Sequence, residues 1–175
     1  MAIYYREEGR QFHLQSKDMS YIIQLVHGYP AHAYWGPKLH PDGNLNDLLM
    51  FEERCSFSPN PLPEDKKISL DTLPQEYPQY GTSDFRHPAY QVQLEDGDRI
   101  TELTYRSHRI FSGKLPLEGL PAVYTESEGE AQTLELELSD PYSGLSVILS
   151  YTVFEEHNAI ARSVRFVNQG SKLCG

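Results

Sequence analysis

The side chains able to do chemistry in this chain are its carboxylates, its histidines and two cysteines. Glycoside hydrolysis needs two carboxyl groups facing each other across a sugar. Glu52 and Glu53 are adjacent and so diverge. Glu135 and Glu137 share one strand face, but they alternate with leucines and read as the wet side of an amphipathic strand. The seven histidines (13, 27, 32, 40, 87, 108 and 157) show no metal-ligand spacing. His108, between Ser107 and Arg109, reads as a structural imidazole rather than a base. Cys55 has only Arg54 beside it to favour a thiolate, which is a poor nucleophile setting. There is no glycine-rich phosphate loop, no GxSxG elbow and no HExxH motif. Neither a catalytic residue nor a metal or other cofactor is expected.

One stretch could bind a ligand without catalysing anything. Residues 76–90, EYPQYGTSDFRHPAY, hold the rings of Tyr77, Tyr80, Phe85 and Tyr90, two prolines and the turn Gly81-Thr82-Ser83-Asp84. Proline removes a backbone donor and fixes φ, so neither a long helix nor a central strand passes through. Two readings follow. Rings beside Asp84, Arg86 and His87 could cover the C–H face of a sugar and fork onto its hydroxyls. Alternatively, this is a packed Ω-type loop whose Asp84 accepts local backbone N–H groups.

Composition narrows the partners. Fifteen basic against twenty-five acidic residues give a formal charge of −10. Counterion release needs clustered Lys and Arg, so nucleic acid and anionic membrane are not expected partners. Cys55 and Cys174 lie far apart and form no disulfide framework, which points to a reducing compartment. The start, MAIYYREEGRQFHLQ, has no apolar signal segment, and no run is long enough to span a membrane. A cytoplasmic location is expected. At 175 residues one domain is expected.

The elements that must position these residues are strands. Residues 3–5 and 11–15 flank a polar turn, and 21–26 and 31–35 flank His27-Gly28-Tyr29-Pro30. Trp35, the only tryptophan, ends that pair. From 37 to 74 the pattern is lost among prolines, with a single possible helical turn at 46–51. Leu48, Leu49, Met50, Phe51, Phe57, Ile68 and Leu70 make that region too apolar for a linker. It is expected to pack back onto something, on this chain or another. Glu95-Asp96-Gly97-Asp98 between 90–94 and 99–105 predicts a hairpin, and 110–111 continues toward Gly113. After a crossing loop at 113–121, strands at 133–138, 145–154 and 160–167 form a meander. Leu134, Leu136, Val147, Leu149, Val164 and Phe166 are expected to face a common core. The fold class is all-β, a large antiparallel sandwich of two packed sheets. The turn at 169–171 leads into 172–175, where a further strand would begin, as in a cut through a larger protein.

Several segments resemble the N-terminal domain of the bacterial α-galactosidases of glycoside hydrolase family 36. They are Ala33-Tyr34-Trp35-Gly36, FSPNP at 57–61, SLDTLPQEYPQYGTSDFRHPAY at 69–90, Thr101-Glu102-Leu103 with Tyr105, and Ser107-His108-Arg109-Ile110. GLPAVYTESEGEAQTLELEL at 119–138, YTVF at 151–154 and RSVRFVNQG at 162–170 continue the likeness in order. The resemblance implies an N-terminal β-supersandwich ahead of a (β/α)₈ barrel and a C-terminal β-domain. It also implies retaining hydrolysis of terminal α-linked galactose from melibiose, raffinose and stachyose. Both catalytic aspartates belong to the barrel, so this chain is expected to be inactive alone.

The resemblance implies further that an acidic residue before an arginine, ahead of SPNP, reaches the galactose pocket of a tetrameric enzyme. Here Glu53-Arg54 matches that position, with Glu where relatives commonly carry Asp and one residue more before Phe57. The implied partners are galactosides, the remaining domains of the parent protein and further copies of it. Two other readings stay open: a free-standing carbohydrate-binding module, supported by the aromatic loop and Trp35, and a scaffold domain whose aromatic loop only packs.

Overall fold

Alternation of apolar and polar residues makes strands here, because a period of two puts every second side chain on one face. The computed structural model describes residues 2–41, 43–51, 62, 64–119, 121–127 and 129–170. Its strands are β1 (Ile3–Arg6), β2 (Gln11–Gln15), β3 (Met19–Val26), β4 (Tyr29–Pro37), β5 (Thr104–Ser112), β6 (Ala131–Ser139), β7 (Leu145–Phe154) and β8 (Ala159–Asn168). Two antiparallel meanders result, β1-β2-β3-β4 and β5-β6-β7-β8. The fold is all-β and antiparallel, as the strand pattern requires. Among the described residues the only helical element is the 3-10 turn Glu155–His157, and 46–51 holds turns without a helix. Among the described residues no helix is long and apolar enough to cross a membrane.

The sheets close on one buried cluster. Phe12, Leu14, Tyr21, Ile23 and Leu25 of the first meet Leu134, Leu136, Leu138, Val147, Leu149 and Val153 of the second. Each such side chain contributes about 1.5–3 kcal/mol by leaving water. The six residues expected to share a core divide. Leu134, Leu136, Val147 and Leu149 are fully buried, but Val164 is 41% and Phe166 48% exposed. Both stand on the inner face, opposite Leu149 and Val147. β8 is the last strand of its sheet, and the Phe166 ring is met by Tyr90 of the central loop at 5.5 Å. The right face does not guarantee burial where no strand lies opposite.

The predicted hairpin around Asp96-Gly97 is half formed. The turn closes, with Gly97 N–H donating to Leu94 O and Leu94 N–H to Asp98 O, both at 2.8 Å. Its flanks carry no strand ladder. Local acceptors capture them: Asp98 takes the N–H groups of Arg99 and Ile100, and Gln79 takes that of Leu103. The strand therefore starts at Thr104 and runs through Ile110-Phe111 to Ser112.

The excursion after β4 returns to its own sandwich. Lys38 N–H donates to Asp18 O and Leu39 N–H to Ser20 Oγ. Leu45 O accepts from Gln11 Nε2 at 2.7 Å. Residues 38–41 and 43–45 thus cover the outer face of β2, all five of whose residues are buried. His13 lies under this cover on Ser20 Oγ (2.8 Å), and burial, then the charges of Arg6 and Lys38, lower its pKa to about 4. Further on, Ile68, Leu70 and Leu73 bury against Val26, Tyr29 and Ala31 in a second small core, with Leu49 and Leu62 packed on it.

A polar latch joins the sheets at one end. Asn158, left-handed at φ 49°, accepts from Ser16 Oγ (2.7 Å) and Asp18 N–H (2.9 Å). Lys17 N–H donates to Glu155 O at 2.8 Å. The β2–β3 turn is thereby tied to the β7–β8 turn.

In the 175-residue chain, Leu136→Ala should cost about 2–5 kcal/mol of unfolding free energy and Val164→Ala less than about 1. Urea denaturation of both variants checks this. Equal losses would refute the division of β8 from the core.

Candidate functional site

The most deeply held charge is one to which the sequence alone assigned no role. Glu76 opens the aromatic loop, and its side chain is 1% exposed. Backbone bonds fix it in place: Glu76 N–H donates to Pro30 O, His32 N–H donates to Pro74 O, and Gln75 bridges Ala31. The carboxylate accepts from Tyr21 (2.7 Å) of β3, Tyr151 (2.9 Å) of β7 and Arg162 Nη2 (2.7 Å) of β8. His32 Nδ1 of β4 stands 3.6 Å away. Burial alone would raise the Glu76 pKa, but His32, Arg162 and the two hydroxyls outweigh it and hold it below the ordinary value. Burial beside this anion pushes both tyrosine hydroxyls well up. A carboxylate so saturated by donors stays ionised and is a structural anion, not an acid or nucleophile.

The loop that follows is clamped from inside. Asp84 is buried and accepts from Arg86 N–H (3.1 Å), Arg86 Nε (2.9 Å) and Nη2 (2.8 Å), and Gln75 Nε2 (2.9 Å). This fork, with the Arg86 hydrogen bond foremost, lowers the Asp84 pKa despite burial. It also holds Gly81, Thr82 and Ser83 at φ of 86°, 52° and 71°. Such backbone is costly for a β-branched residue and persists only where its surroundings enforce it. Tyr77 stacks on Tyr90 at 5.5 Å, and burial pushes the Tyr90 hydroxyl up to about 12. Tyr80, Phe85, Arg86 and His87 face solvent. The carboxylate a sugar would need is therefore already spent on Arg86, and the packed-loop reading holds.

Beside Glu76 an open cleft of about 420 Å³ lies between β4 and β8. Met19, Tyr21, His32, Trp35, Ile160 and Arg162 line it, and Trp35 is 70% exposed. The other sequence candidates are dispersed. Glu135 is buried rather than wet, because Arg109 pairs with it and Ser150 Oγ donates to it; Glu137 binds Ser107 (2.8 Å) and Arg106. These partners make the pair an outer-face ladder. His108 takes the Tyr105 hydroxyl at 2.7 Å and packs on Phe12 and Tyr5, a structural imidazole. Glu52, Glu53, Arg54 and Cys55 lie outside the described residues. What is described is their footing, Leu49 before them and Leu62 after, both on the second core.

Glu76→Gln should cost about 3–5 kcal/mol near pH 7, since it leaves Arg162 and two hydroxyls facing an amide. Because the folded pKa is depressed, the wild-type advantage is complete above the unfolded value of about 4.3 and fades as pH falls through the folded one. Denaturation at pH 7 and pH 3 reads the difference. A gap that does not shrink in acid would contradict the ionised hub.

The family model described as the glycosyl hydrolase family 36 N-terminal domain matches residues 28–174. Alpha-galactosidase AgaA of Geobacillus stearothermophilus is 49% identical over 173 residues, 98% of this chain and 24% of its own length. The bifunctional alpha-galactosidase/sucrose kinase AgaSK of Mediterraneibacter gnavus is 40% identical, over 98% of this chain and 18% of its own. The crystal structure of alpha-galactosidase AgaB from Geobacillus stearothermophilus superposes with a TM-score of 0.89 at 51% identity, over 99% of this chain and 23% of that one. Variants of AgaA have been solved in complex with raffinose and with stachyose, at TM-scores of 0.87 and 0.86. The chain spans between 18% and 24% of the length of these relatives. It belongs to the glycosyl hydrolase family 36 N-terminal domain family.

Proposed function

We propose that this chain is the non-catalytic N-terminal domain of an α-galactosidase, which removes terminal α-D-galactose from oligosaccharides such as melibiose and raffinose with retention. The observation that carries the proposal is the end-to-end match: 98% of the chain aligns with 24% of AgaA. The chemistry agrees, because Glu76, Asp84, Glu135 and Glu137 are each held by side-chain donors. The barrel supplies the catalytic pair. This domain supports assembly of a homo-oligomer, a tetramer, and its long excursion brings Glu53 and Arg54 to the galactose pocket of a neighbouring subunit. Two planted feet, Leu49 and Leu62, favour a presented tip over a loose linker. The parent enzyme works in the cytoplasm, in keeping with two cysteines far apart in sequence.

A second reading, a carbohydrate-binding module, draws on one observation, the exposed Trp35 over its cleft. Micromolar galactose binding by the isolated chain would favour it.

The isolated chain should hydrolyse a chromogenic α-galactoside at background rate. Turnover abolished by a single carboxylate substitution would sink the proposal. In the full-length enzyme a carboxylate holding a sugar hydroxyl contributes about 1.5–3 kcal/mol. Glu53→Gln should then raise KM about tenfold or more, with a smaller fall in kcat than a barrel aspartate variant gives. Unchanged kinetics would remove Glu53 from the pocket.

A further inference from the structure

The cover over β2 lies on polar groups. Phe12 and Leu14 turn inward to the core, so Gln11, His13 and Gln15 turn outward, and all three are buried, as are Ser16 and Ser20 beside them. The covering strap, residues 38–41 and 43–45, meets them through hydrogen bonds. Leu39 N–H donates to Ser20 Oγ (2.9 Å), Lys38 Nζ to Ser16 O (2.9 Å) and Gln11 Nε2 to Leu45 O (2.7 Å). Of these seven strap residues only Leu45 is buried. With so little apolar area beneath it, the strap stays closed only while the polar network under it is satisfied.

His13 stands at the centre of that network. A serine hydroxyl has one proton and two lone pairs. Ser20 Oγ accepts from Leu39, and its proton goes to His13 Nε2 at 2.8 Å, which requires a bare ring nitrogen and a neutral imidazole. Gln15 Nε2, a donor, lies 3.0 Å from the same nitrogen. The charged groups facing the ring are both cations, Arg6 of β1 and Lys38 of the strap. β1 also sets Tyr4 opposite it, and β3 sets Ile22 and Ser20 beside it. Among the described residues no carboxylate bonds to it. A proton on Nε2 would face the Gln15 donor and leave the Ser20 proton without its acceptor. Burial then makes both faults costly.

We propose that His13 is a proton-sensitive catch for the strap: protonation of its imidazole releases residues 38–41 and 43–45 from β2 and loosens the entry to the long excursion. The second core still holds the return of the excursion at Ile68, Leu70 and Leu73. The proposal holds whatever ligand the excursion meets, so the kinetics of Glu53→Gln bear on the pocket reading alone. Its sign follows from linkage. Closure holds the His13 pKa down at about 4, while an open strap returns it toward the ordinary 6.5. The advantage of closure is therefore complete above about pH 6.5 and is lost as pH falls toward 4.

Hydrogen exchange of the Lys38, Leu39 and Gly43 amides in the full-length protein tests this, each rate being divided by its intrinsic rate at the same pH. Strap opening should rise about twentyfold between pH 7 and pH 5, while β6 and β7 stay protected. In His13→Gln, which is neutral throughout and keeps an acceptor for Ser20, the rise should be absent. His40, exposed on the strap, is present in both proteins, so the comparison isolates His13. An equal rise in the variant, or an equal rise in β6 and β7, would overturn the proposal. So would a flat profile in the unmodified protein, a result that needs no variant and decides the matter even if His13→Gln fails to fold.

Discussion

A carboxylate placed between two β-sheets is tolerable only when donors surround it, and the arrangement around Glu76 follows from that constraint. An ionised group loses several kcal/mol of hydration on burial unless charge and hydrogen bonds replace water. Tyr21 and His32 come from one sheet, Tyr151 and Arg162 from the other. One anion thus draws together four strands that the apolar core alone would leave free to shift. It also sets where the long excursion ends, since Gln75 and Glu76 lock onto Pro30 and Ala31.

The anchoring divides the molecule into a frame and what the frame presents. The frame is the double meander with its buried leucines. Presented from it are the clamped aromatic loop, whose interior is occupied by the Asp84–Arg86 fork, and the excursion, planted through the second core. Among the described residues neither element contains a regular strand. Each is held by bonds made within a few residues of its own ends. Precise placement of a loop needs rigid footings more than regular structure.

The strands were legible because their information is local. Thr-Leu-Glu-Leu-Glu-Leu at 133–138 announces a period of two and the inward leucines, and the meander to 167 follows. What sequence could not supply was the extent of the opposing layer, so Val164 and Phe166 read as core while standing beyond it. Nor could it foresee that Asp98 and Gln79 would capture the hairpin flanks. The loop 76–90 was visible as aromatic and rigid. Glu76 itself gave no signal, because its partners lie 55, 75 and 86 positions away at Tyr21, Tyr151 and Arg162. Family likeness in FSPNP and SDFRHPAY pointed to the family more directly than any side-chain chemistry.

The Asn158 latch has a mechanical consequence. Dispersion and hydrophobic contacts between sheets are non-directional, so they resist separation far better than they resist sliding. The hydrogen bonds that Asn158 accepts from Ser16 and Asp18 are directional, and they sit at the far turns of both meanders. With the Glu76 hub they form two pins at separate points, and two pins remove rotation as well as translation. Load applied to one sheet is therefore carried to the other as to a single plate. Asparagine is doubly suited to the position, tolerating φ of 49° while keeping the amide that makes the pin. Glycine would preserve the backbone there and remove this pin, leaving the Lys17–Glu155 backbone bond and the Glu76 hub to hold the sheets.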